Sequence, residues 1–216
     1  MLVKDRMTPN PICGTLDMPV TKARDLMIEK GFRHLPILDD EQKLVGLLTR
    51  GTLLKALPSD VSNFSHFEIS YVLGKIKAHT IMIKDMITIE EDTPIEKAAQ
   101  IMADKHIGCL PVLKEGKLAG IITDNDLFNI MVSLLGANQT GIRIAVLQPD
   151  RVGTVALLTN AIAEAGGYLS VNVGYYPEEP PDSWVSVCKV KNISKEALVE
   201  VIDNLENMKI LDLREI

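Results

Sequence analysis

The sequence predicts an α+β protein. Two β-α-β-β-α units stand in tandem, related by a pseudo-twofold axis, and a β-α-β-β-α-β sandwich follows them. Three observations predict this. The first half repeats itself at a spacing of 75 residues, apolar residues inside each repeat recur at helical or strand spacing, and a third, unrelated series of elements begins after the linker "GANQTG".

The repeat fixes the first two units. Asp17 matches Asp92, Pro19 matches Pro94, Ala23 matches Ala98 and Met27 matches Met102. "LPIL" (35–38) then matches "LPVL" (110–113), one residue drops out of the turn, and "KLVGLLT" (43–49) matches "KLAGIIT" (117–123). Upstream, "VKD" (3–5) pairs with "IKD" (83–85), which implies that the second copy lacks the "TPNP" stretch of the first. In the second copy, Thr93 is expected as N-cap, Pro94 as the first helical residue and Glu96 as the closing member of a capping box. Ile95, Ala98 and Met102 fall on one face of that helix. "CLPVL" and "LAGII" are strands about an "EGK" hairpin turn, and a second helix starts at Asp124. A unit of this size buries too little surface to stand alone, so the two are expected to pack together. The units are placed at 1–60 and 81–135. Between them, 61–80 carries Ile69, Val72, Leu73 and Ile76 at amphipathic-helix spacing.

After the linker at 136–141, the third unit covers 142–216. "IRIAVLQ" alternates as a strand, and "VALLTNAIAEA" is a helix closed by Gly166-Gly167. "YLSVNVGYY" and "SWVSVCKV" are strands joined by the proline-rich acidic loop "PEEPPD". "SKEALVEVIDNL" is a helix capped by Ser194, with Leu198, Val201, Ile202 and Leu205 inward, and "KILDLREI" is the last strand. The order is that of a ferredoxin-like sandwich.

Composition narrows the function. The chain is 46% apolar and 24% charged, with a formal net charge of -6. No basic cluster appears, so nucleic acid is not an expected partner. No apolar run is long enough to cross a bilayer, and the N-terminus lacks the pattern of a signal peptide. Three widely spaced cysteines, Cys13, Cys109 and Cys188, suit reduced thiols and a cytoplasmic location. The four histidines show no metal-ligand spacing with Cys or carboxylates. "DND" (124–126) lacks the glycine and final glutamate of a calcium loop. No nucleophile–base arrangement, P-loop or dinucleotide fingerprint is present, so no enzyme is expected.

One difference between the copies carries chemistry. "GIITDNDLF" (120–128) ends its loop in Asp126, where "GLLTRGTLL" (46–54) has Thr52. Thr123-x-x-Asp126 is a capping box in its own right. A carboxylate there is also a natural bidentate acceptor for a sugar cis-diol, and a threonine is not.

The duplicated G-x-x-T-x-x-D motif with its upstream "LPV" resembles a tandem pair of CBS domains. The third unit resembles an ACT domain, a small-molecule-sensing module. The combination, with "HIGCLPV" and "LLGANQTG", is similar to the bacterial acetoin-utilisation protein family. The resemblance implies an adenine nucleotide (AMP, ADP, ATP) or S-adenosylmethionine held between the copies. Asp126 would accept from both ribose hydroxyls and Thr123 would hold the ribose–phosphate side. Ile87, Thr88 and Ile89 with Ile107, Leu110 and Pro111 would clasp the adenine, and Arg33 and His34 would face the phosphates. With Thr52 in place of Asp, the first copy's site is expected to be degenerate. In the third unit, Asp150, Val152 and Gly153 occupy the turn where ACT domains commonly admit a ligand carboxylate. Asp150 as a plain helix N-cap is the competing reading.

The expectation is a non-catalytic regulatory protein that requires no cofactor. It would take an adenine nucleotide as ligand and an amino acid or related metabolite at the ACT unit. It would self-associate as a homodimer through either module and act on an unidentified protein. The alternative is a structural adaptor with vestigial sites.

Overall fold

The computed structural model describes residues 1–55 and 75–216. Of the helix expected through Ile69, Val72, Leu73 and Ile76, all but Ile76 lie outside the described residues. Two compact units emerge, Met1–Phe128 and Asn129–Ile216.

In the first unit the copies are built alike. Helix α1 (Val20–Lys30) buries Val20, Ala23 and Met27, and β3 (His34–Leu38) pairs with β4 (Leu44–Thr49) before α2 (Arg50–Lys55). The second copy gives α4 (Ile95–Lys105), which buries Ile95, Ala98 and Met102, then β6 (Cys109–Lys114), β7 (Lys117–Thr123) and α5 (Asp124–Leu134). The hairpin β6–β7 turns at Glu115 and Gly116, both with positive φ, as a two-residue turn between twisted strands requires. The short strands β2 (Gly14–Thr15) and β5 (Ile89–Glu90) run parallel to β3 and β6.

Two expectations at helix starts are corrected. Pro94, not Thr93, is the N-cap of α4, and no side chain caps the helix. The helix begins one residue later than expected because proline already holds the extended conformation of a cap, with φ -60° and ψ 141°. At the other end His106 adopts the left-handed conformation that Gly31 supplies in the first copy.

The repeat register is also corrected at the N-termini. Each copy begins with an arm that docks on the other copy. β1 (Thr8–Pro9) pairs with Ile121 and Gly120 of β7, and Ile83 forms the matching bridge with Leu47 of β4. Val3 N–H donates to Thr93 O, and Ala78 N–H, in the short helix α3 (Ala78–Ile81), donates to Met18 O. Leu2 bridges Pro94 as Lys77 bridges Pro19. The arm residues of these pairs keep the spacing of 75, so Met7 corresponds to Met82 and nothing is deleted from the arm. The resemblance of "VKD" to "IKD" is out of register, because the exchanged backbone pairing fixes the alignment.

The arms explain the glycine of the repeated motif. A Cβ on Gly46 would lie 2.2 Å from Met82 Sδ, and one on Gly120 would lie 2.4 Å from Met7 Sδ. Each copy thus inserts a methionine over the other's bare backbone.

The second unit has the order expected. β8 (Ile142–Pro149), α6 (Thr154–Glu164), β9 (Tyr168–Tyr175), β10 (Ser183–Lys191), α7 (Lys195–Asp203) and β11 (Lys209–Glu215) follow one another, and the sheet runs β11-β8-β10-β9, all antiparallel. Ile144, Val146, Cys188 and Val190 of the sheet bury against Leu158 and Ile162 of α6 and Leu198 and Ile202 of α7. Ser194 caps α7 by accepting from Ala197 N–H, as expected. Asp150 does not cap α6: Gly153 is the N-cap, with φ +90°, and the Thr154 hydroxyl turns back to Arg151 O. Arg151 and Val152 separate Asp150 from the Gly153 cap, too far for its side chain to serve.

The linker is held by a buried charge. Lys189, 5% exposed, donates from Nζ to the carbonyls of Gly136 and Gln139. Replacing it with methionine strands two acceptors, which costs about 1–3 kcal/mol. Lys189→Met should lower denaturant stability by that order and speed proteolysis within 136–141. Unchanged protease resistance would contradict this role.

Candidate functional site

The arm exchange builds two grooves in the first unit, at matching positions of the repeat. One, of about 440 Å³, is lined by Asn10, Ile12, Lys30, Phe32, Thr123 and Asp126. The other, of about 630 Å³, is lined by Thr49, Arg50, Asp85, Ile87, Lys105 and Ile107. Arg33 and His34 line both.

The structure therefore divides the residues that the resemblance grouped. Thr123, Asp126, Arg33 and His34 share the first groove. Ile87, Ile107 and Pro111 lie in the second, with Thr49. Leu110 is fully buried and Ile89 nearly so, both in the core, and Thr88 lines neither groove. The reason is the exchange. The arm that walls the Asp126 groove is the first copy's, which pairs with β7, so Ile12 occupies there the place that Ile87 holds opposite Thr49. Asn10, Ile12 and Phe32 were missed in sequence. Extending the spacing of 75 through Ile12 and Ile87 would have found them.

Asp126 does cap its helix. Its Oδ2 accepts from Thr123 N–H at 2.8 Å and from the Thr123 hydroxyl at 2.7 Å, and Asp126 N–H approaches Thr123 Oγ1 at 3.4 Å. Oδ1 has no partner among the described residues, so one carboxylate oxygen is left to the groove. Thr52 makes the same cap with nothing to spare. Its hydroxyl accepts from Thr49 N–H at 2.9 Å and donates to Thr49 O at 2.9 Å.

Between the grooves, Arg33 donates to Asp124 Oδ1 at 2.6 Å, with both side chains partly exposed. Such a pair is worth little to stability. Burial, and then the Arg33 charge, push the pKa of His34 below its ordinary value, against the opposing pull of Asp124. Cys109, its counterpart in the repeat, is pushed up to about 12, mainly by burial and secondarily by Asp124. The thiol stays neutral at physiological pH and is a poor nucleophile or metal ligand. Among the described residues no three His, Cys, Asp or Glu gather as a metal site, and no helix is long and apolar enough to cross a membrane.

In the second unit Asp150, Val152 and Gly153 are all exposed. Near them in sequence is a residue that sequence did not single out. Gln148, 1% exposed at the end of β8, donates to Ser186 Oγ at 3.0 Å, while its Oε1 has no partner among the described residues.

Comparison with known proteins agrees with this architecture. The CBS-domain family model matches residues 3–59 and 78–133, just over half of the chain. Protein MJ1225 of Methanocaldococcus jannaschii is 34% identical over 128 residues, 58% of this chain and 45% of that protein. Inosine-5'-monophosphate dehydrogenase of Aquifex aeolicus is 31% identical over 122 residues, 56% of this chain and 22% of the enzyme. The chain thus spans less than half the length of either. Among solved structures, a protein assigned to acetoin utilization (AcuB) in Vibrio cholerae is 30% identical with a TM-score of 0.53, over 64% of this chain and 95% of that one. The CBS domain pair of MJ0100, in complex with 5'-methylthioadenosine and S-adenosyl-L-methionine, is 27% identical with a TM-score of 0.52, over 64% of this chain and 98% of that one.

Proposed function

The chain belongs to the CBS-domain family, and on that premise we propose that it is a non-catalytic regulatory protein. Its ligand is an adenine nucleotide or an S-adenosylmethionine-type adenosyl compound, held in the groove around Asp126. The observation that carries this is Asp126 Oδ1, without a partner among the described residues, on a residue lining a groove that also offers apolar surface and a cation. A ribose cis-diol supplies the two donors that a carboxylate accepts. Ile12 and Phe32 suit a flat base. Lys30, and Arg33 once released from Asp124, suit phosphate. The ligands bound by the MJ0100 pair share the adenosyl group and support this choice.

The third unit, 142–216, is taken as an ACT domain on its element order and antiparallel sheet, attached to CBS units at 1–60 and 81–135. The orphan acceptor of Gln148 supports a ligand with a donor, such as an amino acid, near Asp150 and Gly153. The chain acts as a cytoplasmic homodimer on a separate target protein, and the likeness to AcuB favours acetoin metabolism. A ligand shifts such a protein only through its differential affinity for two states. Isothermal titration with AMP, ATP, S-adenosylmethionine and 5'-methylthioadenosine tests the reading. Saturable binding of at least one supports it. Silence from all four leaves the adaptor with vestigial sites.

A further inference from the structure

We propose that the second groove, beside Thr49, is an anion site for a phosphate-bearing ligand and makes no use of a sugar. With Thr52 where the matching position holds Asp126, this groove lacks that carboxylate and offers a hydroxyl proton in its place.

Three observations lead there. The first is the hydroxyl of the motif threonine. In the Asp126 groove, the Thr123 hydroxyl spends its proton on Asp126 Oδ2. In the second groove, Thr49 Oγ1 only accepts, from Thr52 N–H at 3.1 Å, and its proton has no acceptor among the described residues. The Thr52 hydroxyl spends its proton on Thr49 O and one lone pair on Thr49 N–H, so a diol would meet one neutral lone pair there and no carboxylate. One groove therefore presents an acceptor and the other a donor.

The second is charge. Arg50 and Lys105 both line the groove, and neither side chain has a partner among the described residues. Asp85 is the carboxylate that lines it with them, while Arg33 is already matched by Asp124. Two unmatched cations against one carboxylate leave the groove with a positive excess that favours an anion.

The third is the set of imidazole donors. His34 and His106 complete the wall. His106 is held there by its left-handed backbone at the end of α4, with φ 53°. Arg, Lys, Thr and His around an open groove form the donor set of a phosphate, with Arg50 able to grip two oxygens at once.

The site stands whether or not a nucleotide occupies the Asp126 groove, and its test keeps the two apart. The full-length chain is titrated with inorganic pyrophosphate and, separately, with glycerol 3-phosphate, which distinguishes an inorganic anion from a phosphate ester. Binding of either should be saturable and unaffected by saturating adenosine or by Asp126→Asn. Arg50→Gln and Lys105→Gln, both at exposed positions, should each weaken it about tenfold, the scale of one charge-assisted bond. The double variant should abolish it, and Thr52→Asp should weaken it by restoring a carboxylate. The proposal is overturned if neither anion binds, or if binding ignores Arg50 and Lys105. It is equally overturned if adenosine or Asp126→Asn removes the anion, since the phosphate would then belong to the other groove. Adenosine titrated into Asp126→Asn reports on the nucleotide alone.

Discussion

Asp126→Asn should weaken binding of adenosine-type ligands at least about 100-fold while leaving the fold intact. A hydrogen bond to a charged group is worth about 1.5–3 kcal/mol, and the carboxylate is placed to accept two, so losing the charge removes about 3 kcal/mol or more. Asparagine keeps one acceptor, enough for the bond from Thr123 N–H that closes the cap. The cost to folding should therefore stay near about 1 kcal/mol. Isothermal titration gives the first number and chemical denaturation the second. Equal affinity in the two proteins would refute the assignment of Asp126. A collapse of stability would mean that the cap is its main role, and Asp126→Thr, which copies the sequence of the first repeat, separates the cases. That variant keeps a cap of the kind seen at Thr52 and still loses the free oxygen.

The two copies close the same helix start with different side chains, Asp126 in one and Thr52 in the other. Both copies retain the threonine, and both close the helix start with reciprocal bonds across three residues. A carboxylate does this with one oxygen and leaves the other for a ligand. A hydroxyl does it with its single oxygen and leaves no second, charged oxygen. The consequence appears on the neighbouring threonine, whose proton is used in one copy and free in the other.

Much of this was legible in the residues. The repeated Ala23/Ala98 and Met27/Met102 stripe, the hairpin glycine and the Ser194 cap each reflect a local rule, and each holds. What failed depended on partners distant in sequence. Nothing local in "MTPNPI" says that it will pair with β7 of the other copy, so the register of the arms, and with it the membership of each groove, was misread. Thr93 does not cap α4 and Asp150 does not cap α6, because a polar side chain near a helix start need not be used. Proline geometry and a glycine turn settled those helix starts instead. The reciprocal cap of Thr123 and Asp126 was legible because the spacing of the two residues follows a local rule.

Gly120→Val should destabilise the first unit by about 3 kcal/mol, the upper end of what overpacking costs. A Cβ there would lie 2.4 Å from Met7 Sδ, 2.9 Å from Met7 Cγ and 3.0 Å from Thr8 O. The methionine can swing aside, but Thr8 is backbone in the pairing of β1 with β7, so the branched side chain must break that pairing or push the arm off. Gly46→Val should act in the same way through Met82, whose Sδ would be 2.2 Å from the new Cβ. The cause is isolated by a double-mutant cycle with alanine, because Gly120→Ala mainly strikes the methionine. If arm exchange is what the glycine serves, Met7→Ala should offset part of the cost of Gly120→Ala, with a coupling of about 0.5–3 kcal/mol measured by denaturant unfolding. Additive costs would mean that the glycine serves some other need than the inserted methionine. An unchanged midpoint for Gly120→Val would mean that the arm is not seated on β7 in solution, and the wall of the Asp126 groove would then have to come from elsewhere.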